Sequence, residues 1–173
     1  IITQIGPHIM NKDFSSQSQL NLGSPDMEEV ISNFLLSQKE NGESSGGEVS
    51  IRIKNVPAGL GDPCFDKLKA TLSHGLISIG SCMGISFGIG EKFKSALGSE
   101  ISKDQSSFGG IEGGISNGKD IFITLIFKAP STVGEKAKQG RHDPCILPRV
   151  VPVIDSMIQI ILCDHTLIQK AIS

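Results

Sequence analysis

The order of apolar and polar positions divides the chain into short strands alternating with amphipathic helices. From Ile1 to His8 the run IITQIGPH reads as a strand stopping at a Gly-Pro turn, and Asn11 to Leu22 is polar and irregular. Ser24 then reads as a helix cap with Pro25 at the first helical position. Met27, Val30, Ile31, Phe34 and Leu35 recur at helical spacing, predicting one buried stripe that ends at Asn41 and Gly42. After a polar loop from Glu43 to Gly47, Val49, Ile51 and Ile53 alternate with Ser50, Arg52 and Lys54, which predicts a strand with one wet face.

Asp62 and Pro63 are expected to open a second helix, lined by Leu68, Leu72, Leu76 and Ile79 and closed at Gly80. A strand from about Met83 to Ile89 follows. Gly98 to Gly118 holds too much glycine for a regular element and reads as a backbone-shaped loop. Ile121 to Phe127 is almost wholly apolar, predicting a strand covered on both faces, with Lys128 ending it in solvent or in a site. Ser131 to Gly140 is short and polar. From about Val150 the spacing of Ile154, Met157, Ile158, Ile161 and Ile168 predicts a deeply buried helix. Mixed helices and strands, several of them meander-like, argue for α+β packing in layers.

Composition narrows the function classes. A chain of 173 residues with 38% hydrophobic residues suffices for a packed core. A net charge of -2 and a pI near 6.1 supply no basic footprint for nucleic acid or an anionic membrane, and without Trp or Tyr a base-stacking platform would fall to scattered Phe. Asp155, Gln159 and Asp164 punctuate the most apolar stretch, so the expectation is a soluble protein with neither a membrane nor a nucleic-acid partner. Four irregularly spaced cysteines suggest neither a disulfide framework nor a zinc pattern, and a cytoplasmic location is expected. Cys163 and His165 fall on different helix faces, so no metal site is expected there. The start at Ile1, inside a strand, reads as part of a longer chain.

Several segments carry possible chemistry. In FGGIEGGISNG the glycines let backbone N–H groups approach a phosphate or ring edge, or simply shape a loop; no P-loop lysine follows and no helix opens there. Lys128, Ala129, Pro130, Ser131 and Thr132 place a cation and two hydroxyls at a strand exit, either a phosphate cradle or a solvated turn. Arg141, His142 and Asp143 combine a rigid anion fork with a carboxylate that can exchange a proton, or form an ion pair in a turn locked by Pro144. Cys145 beside His142 invites a thiol-nucleophile reading, but no oxyanion loop or orienting third group accompanies it.

In order along the chain, PAGLGDPCFDKLKATLSHGLISIGSCMG, FGGIEGGISNG, FKAPSTVGEKAKQGRHDPC and LPRVVPVIDSMIQIILCDH resemble successive blocks of the C-terminal half of chorismate synthase, and IITQIGPH resembles the strand preceding them. The resemblance implies a layered β-α-β sandwich with helices between two antiparallel sheets, residues 1–173 forming the C-terminal portion of one such domain with the N-terminal half absent. It also implies a homotetramer and the anti-1,4 elimination of phosphate from 5-enolpyruvylshikimate 3-phosphate to chorismate. Reduced FMN would be required, with NADPH as a possible reductant.

Carried over residue by residue, the family's FMN contacts fall on Gly80, Ser81, Gly113, Lys128, Ala129, Pro130, Ser131, Thr132 and Arg141, and its proton-handling aspartate on Asp143. The family's usual asparagine and histidine before the glycine loop stand here as Ser106 and Ser107, and its KPTSS-like run reads KAPST. The family's two catalytic histidines, its substrate arginines and its Arg-Ser-Ser flavin segment have no counterpart in these residues, which alone are expected to be inactive. The alternative is a noncatalytic flavin-binding or assembly module derived from the enzyme.

Overall fold

The computed structural model describes residues 1–138, 140 and 142–172. The chain opens with a hairpin, β1 (Ile2–Ile5) and β2 (His8–Ile9), paired Ile5 to His8. Gly6, first of the two turn residues, has φ 52°, as the favoured hairpin turn demands. A 3-10 turn at Pro25–Met27 leads into α1 (Glu28–Asn41), which ends where predicted with Gly42 left-handed. Ser24 does not cap it; its hydroxyl instead accepts the Asn11 amide at 2.9 Å. The predicted stripe of α1 is incomplete, since Ile31 is buried but Val30 is exposed.

β3 (Gly47–Ile53) pairs antiparallel with β1. Its wet face begins later than expected. Ser50 is buried and shares a hydrogen bond with the Thr3 hydroxyl, which also donates to Glu48 at 2.8 Å.

α2 (Leu68–Ile77) starts six residues after the predicted Asp62. The cap-like Asp-Pro sequence is overridden because Phe65 adopts φ 59°, which no helix accepts, and the Leu68 amide bonds the Gly114 carbonyl at 2.7 Å. β4 (Cys82–Phe87) follows.

The predicted glycine-rich loop contains regular structure: α3 (Gly98–Ile101), a 3-10 turn at Gln105–Phe108, and a hairpin of β5 (Ile111–Glu112) and β6 (Ile115–Ser116). Gly113 and Gly114 make its two-residue turn, both with positive φ. β7 (Ile121–Phe127) is covered on one face, not two: Ile121, Ile123, Leu125 and Phe127 are buried while Ile126 is half exposed. A short α4 (Glu135–Lys138) interrupts the expected polar loop.

α5 (Leu147–Ile172) begins three residues earlier than predicted and continues through Pro152. It is not deeply buried. Leu147, Val150, Ile154 and Ile158 form one covered stripe, but Ile160 is 62% and Leu167 59% exposed. By length and composition alone α5 could cross a bilayer.

Five strands form one sheet in the order β2-β1-β3-β7-β4, and β5 and β6 form another. The chain divides into two compact units. The first comprises Ile1–Ser50, Gly80–Gly84 and Leu125–Val153, its core built on Ile2, Ile5, Leu22, Phe127 and Leu147. The second comprises Ile51–Ile79, Ile85–Thr124 and Ile154–Ser173, its core built on Leu68, Leu72, Leu76, Ile121 and Ile123.

Candidate functional site

Within the first unit, β7 delivers Lys128 to its exit because the alternating Leu125 and Phe127 are fixed in the core. The Lys128 amide donates to the Ser81 carbonyl at 2.9 Å, joining two predicted segments far apart in sequence. Ser81 is strained into φ 71°, a value uncommon outside glycine, and a Cβ at the adjacent Gly80 would meet nothing within 4 Å. The Lys128 ammonium donates to the Ser131 hydroxyl at 2.7 Å. Ala129 and Pro130 are half-buried, and Thr132 is exposed.

The polar loop Glu43–Gly46, read from sequence as a simple connection, organises this region. The Ser44 hydroxyl donates to the Pro130 carbonyl at 2.6 Å, and the Ser45 amide to the Pro144 carbonyl at 2.8 Å. His142 Nε2 lies 2.8 Å from the Glu43 carbonyl. Gly46 permits the close approach: a Cβ there would come within 2.9 Å of Ala129 N and of the Lys128 carbonyl carbon, and nearer still to the Phe127 carbonyl oxygen. One loop therefore pins both the strand exit and the turn holding Asp143.

Asp143 is paired with Arg149, on the first turn of α5, at 2.9 Å. Sequence reasoning missed Arg149; its only signal was a cation six residues after a carboxylate, across a proline turn. Cys145 is buried, and desolvation, with a smaller contribution from the Asp143 charge, pushes its thiol up to about 11. A neutral, buried thiol is a poor nucleophile, which removes the hydrolase reading. Arg141 lies outside the described residues. Gly113 belongs to the second unit, at a hairpin turn open to added atoms.

Two hollows, one in each unit, lie apart from these residues. One of about 310 Å³ in the first unit is lined by Gln4, Gly46, Glu48 and Phe127 among others, and contains none of the predicted contacts. One of about 340 Å³ in the second unit is flanked by Thr71 and His165, whose Oγ1 and Nε2 are 2.7 Å apart. No cluster of metal-ligating side chains occurs among the described residues.

The family model for chorismate synthase matches residues 1–167. This chain belongs to that family. The chorismate synthase of Bdellovibrio bacteriovorus is 38% identical to it, the match covering 97% of this chain and 52% of the relative. That of Christiangramia forsetii is 34% identical over 98% of this chain and 56% of its own length. That of Schizosaccharomyces pombe is 34% identical over 77% and 40%. The chain thus spans about half the length of the family relatives it matches. A crystal structure of chorismate synthase superposes with a TM-score of 0.79 at 23% identity, covering 97% of this chain and 56% of that one. This likeness supports the α+β fold; the large sheet contributed here is the five-stranded one.

Proposed function

We propose that this chain forms one wall of the active site of a chorismate synthase acting on 5-enolpyruvylshikimate 3-phosphate with reduced FMN. The observation that carries the reading is the Ser81–Lys128 hydrogen bond. It brings the two segments expected to contact flavin side by side in one unit of a chain that belongs to the family.

The residues suit such a cofactor. Lys128 and Ser131 present a cation and a hydroxyl to a phosphate, Gly80 leaves its surroundings open, and His142 Nδ1 is buried without a partner. Held there, reduced FMN would supply electron density to the elimination and have it returned, with no net redox change. The chain's own contributions are binding and proton handling. Asp143 has one carboxylate oxygen tied to Arg149, leaving the other to hold or move a proton. Arg141, as an anion contact, and Gly113, as a flavin contact, are assigned from the family pattern alone.

The working enzyme would be a cytoplasmic homotetramer, its flavin reduced either by NADPH on the enzyme or by an external reductase. The test is an anaerobic assay of the natural polypeptide containing these residues, with reduced FMN and substrate, following chorismate absorbance. Folded, flavin-loaded protein that makes no chorismate refutes the reading. It would leave the noncatalytic flavin-binding or assembly module. Asp143→Asn should retain flavin and sharply lower turnover; an undiminished rate removes Asp143 from the chemistry.

A further inference from the structure

Among the described residues one buried side-chain nitrogen or oxygen lacks a hydrogen-bond partner: Nδ1 of His142. Its tautomer follows from the rest of the ring. Nε2 lies 2.8 Å from the Glu43 carbonyl oxygen, which can only accept, so Nε2 carries the hydrogen and Nδ1 of the neutral imidazole offers a lone pair. A buried acceptor with nothing to accept is costly and rare. Anchoring the turn does not explain it, because the same loop already holds the turn through the Ser45 amide and the Pro144 carbonyl, and anchoring uses only Nε2. Metal ligation does not explain it either, since no cluster of metal-ligating groups accompanies it among the described residues.

We propose that His142 is a ligand-contacting residue whose Nδ1 accepts a hydrogen bond from an N–H or hydroxyl donor of the bound flavin. The proposal rests on the flavin reading above. It adds His142 to Arg141 and Asp143, the two positions of this segment assigned from the family pattern. The Glu43 carbonyl becomes the group that sets the ring's tautomer, the role such outer hydrogen bonds have wherever a histidine must present a chosen nitrogen.

Two amide substitutions separate the ring's two nitrogens. Glutamine places its terminal amide near the position of Nε2 and asparagine near that of Nδ1. His142→Gln keeps the link to Glu43 and loses the acceptor, so FMN affinity, read by flavin fluorescence on the natural polypeptide, should fall about tenfold, equivalent to ~1.4 kcal/mol. His142→Asn should recover most of that loss. The opposite order, Gln binding like wild type and Asn weakly, would mean that the ring is only an anchor and would overturn the proposal. Nitrogen-15 NMR of the imidazoles in the unaltered protein supplies a measurement independent of variant folding. The Nδ1 resonance of His142 should be that of an unprotonated nitrogen and should move toward the hydrogen-bonded position as FMN is added. FMN that binds without moving it overturns this inference alone; failure of the folded protein to bind FMN overturns the flavin reading with it.

Discussion

Gly46→Ala tests whether the approach of the Glu43–Gly46 loop to the β7 exit holds the candidate site together. A methyl group there would lie 2.9 Å from both Ala129 N and the Lys128 carbonyl carbon, and closer to the Phe127 carbonyl oxygen. All of these are backbone atoms, so no rotamer change relieves the clash and the loop or the strand exit must shift. Overpacking of this kind costs about 1–3 kcal/mol, against which replacing glycine returns roughly 0.5–1 kcal/mol of chain entropy. The net destabilisation is about 0–2.5 kcal/mol, centred near 1, which for a chain of this length lowers the melting temperature by roughly 2–4 °C. Flavin affinity should fall as well, because the displaced atoms carry Lys128. Gly98→Ala is the control, since a Cβ there meets nothing within 4 Å. Thermal unfolding by circular dichroism and FMN titration of both variants decide the matter. If Gly46→Ala matches Gly98→Ala in both, the loop does not position the site.

Three further outcomes are expected. Arg149→Gln should change stability by less than about 1 kcal/mol, because the pair is largely solvent-exposed, yet lower turnover about tenfold through loss of Asp143 orientation; Arg149→Lys should restore part of it, and equal rates in all three proteins would refute that role. In native protein at pH 8, Cys64 and Cys163 should alkylate rapidly and Cys82 and Cys145 slowly by mass spectrometry, the first two being exposed and the others buried. The Cys145 thiol is raised in the fold, so its contribution is intact below the ordinary thiol value of 9.0. It should be lost as pH climbs toward about 11, costing about 2–3 kcal/mol, a slope that Cys145→Ala should flatten in chemical denaturation.

The parts of the fold legible in the sequence were those governed by local chemistry. Gly42 ended α1 because a left-handed residue was needed there, and the apolar run Ile121–Phe127 formed a strand, though with one covered face where two were expected. Expectations failed where a distant partner outranked the local signal. Asp62 and Pro63 form a credible helix start, but the Leu68 amide is taken by Gly114 on another element, and α2 waits for it. For α5 the period was right and the burial wrong, since apolar character says which residues tolerate a partner and nothing about whether a partner is at hand. Ile160 and Leu167 are exposed for that reason.

The site divides along the same line. Lys128, Ser131 and Asp143 were candidates because side-chain chemistry is written in residue type, and a family pattern added Ser81. What places them is largely main chain: the Ser81 and Pro144 carbonyls, the Lys128 and Ser45 amides, and the Glu43 carbonyl under His142. Backbone groups are present at almost every position, so no residue letter advertises them. The one letter that betrays their crowding is glycine, and at Gly46 it does so because three backbone atoms stand where a Cβ would be. Had the segment from Glu43 to Gly47 been judged by what its glycines exclude, and not by its polarity, it would have pointed to a close backbone crossing. It follows that substitutions in this loop should disturb flavin binding even though none of its side chains is expected to touch the flavin.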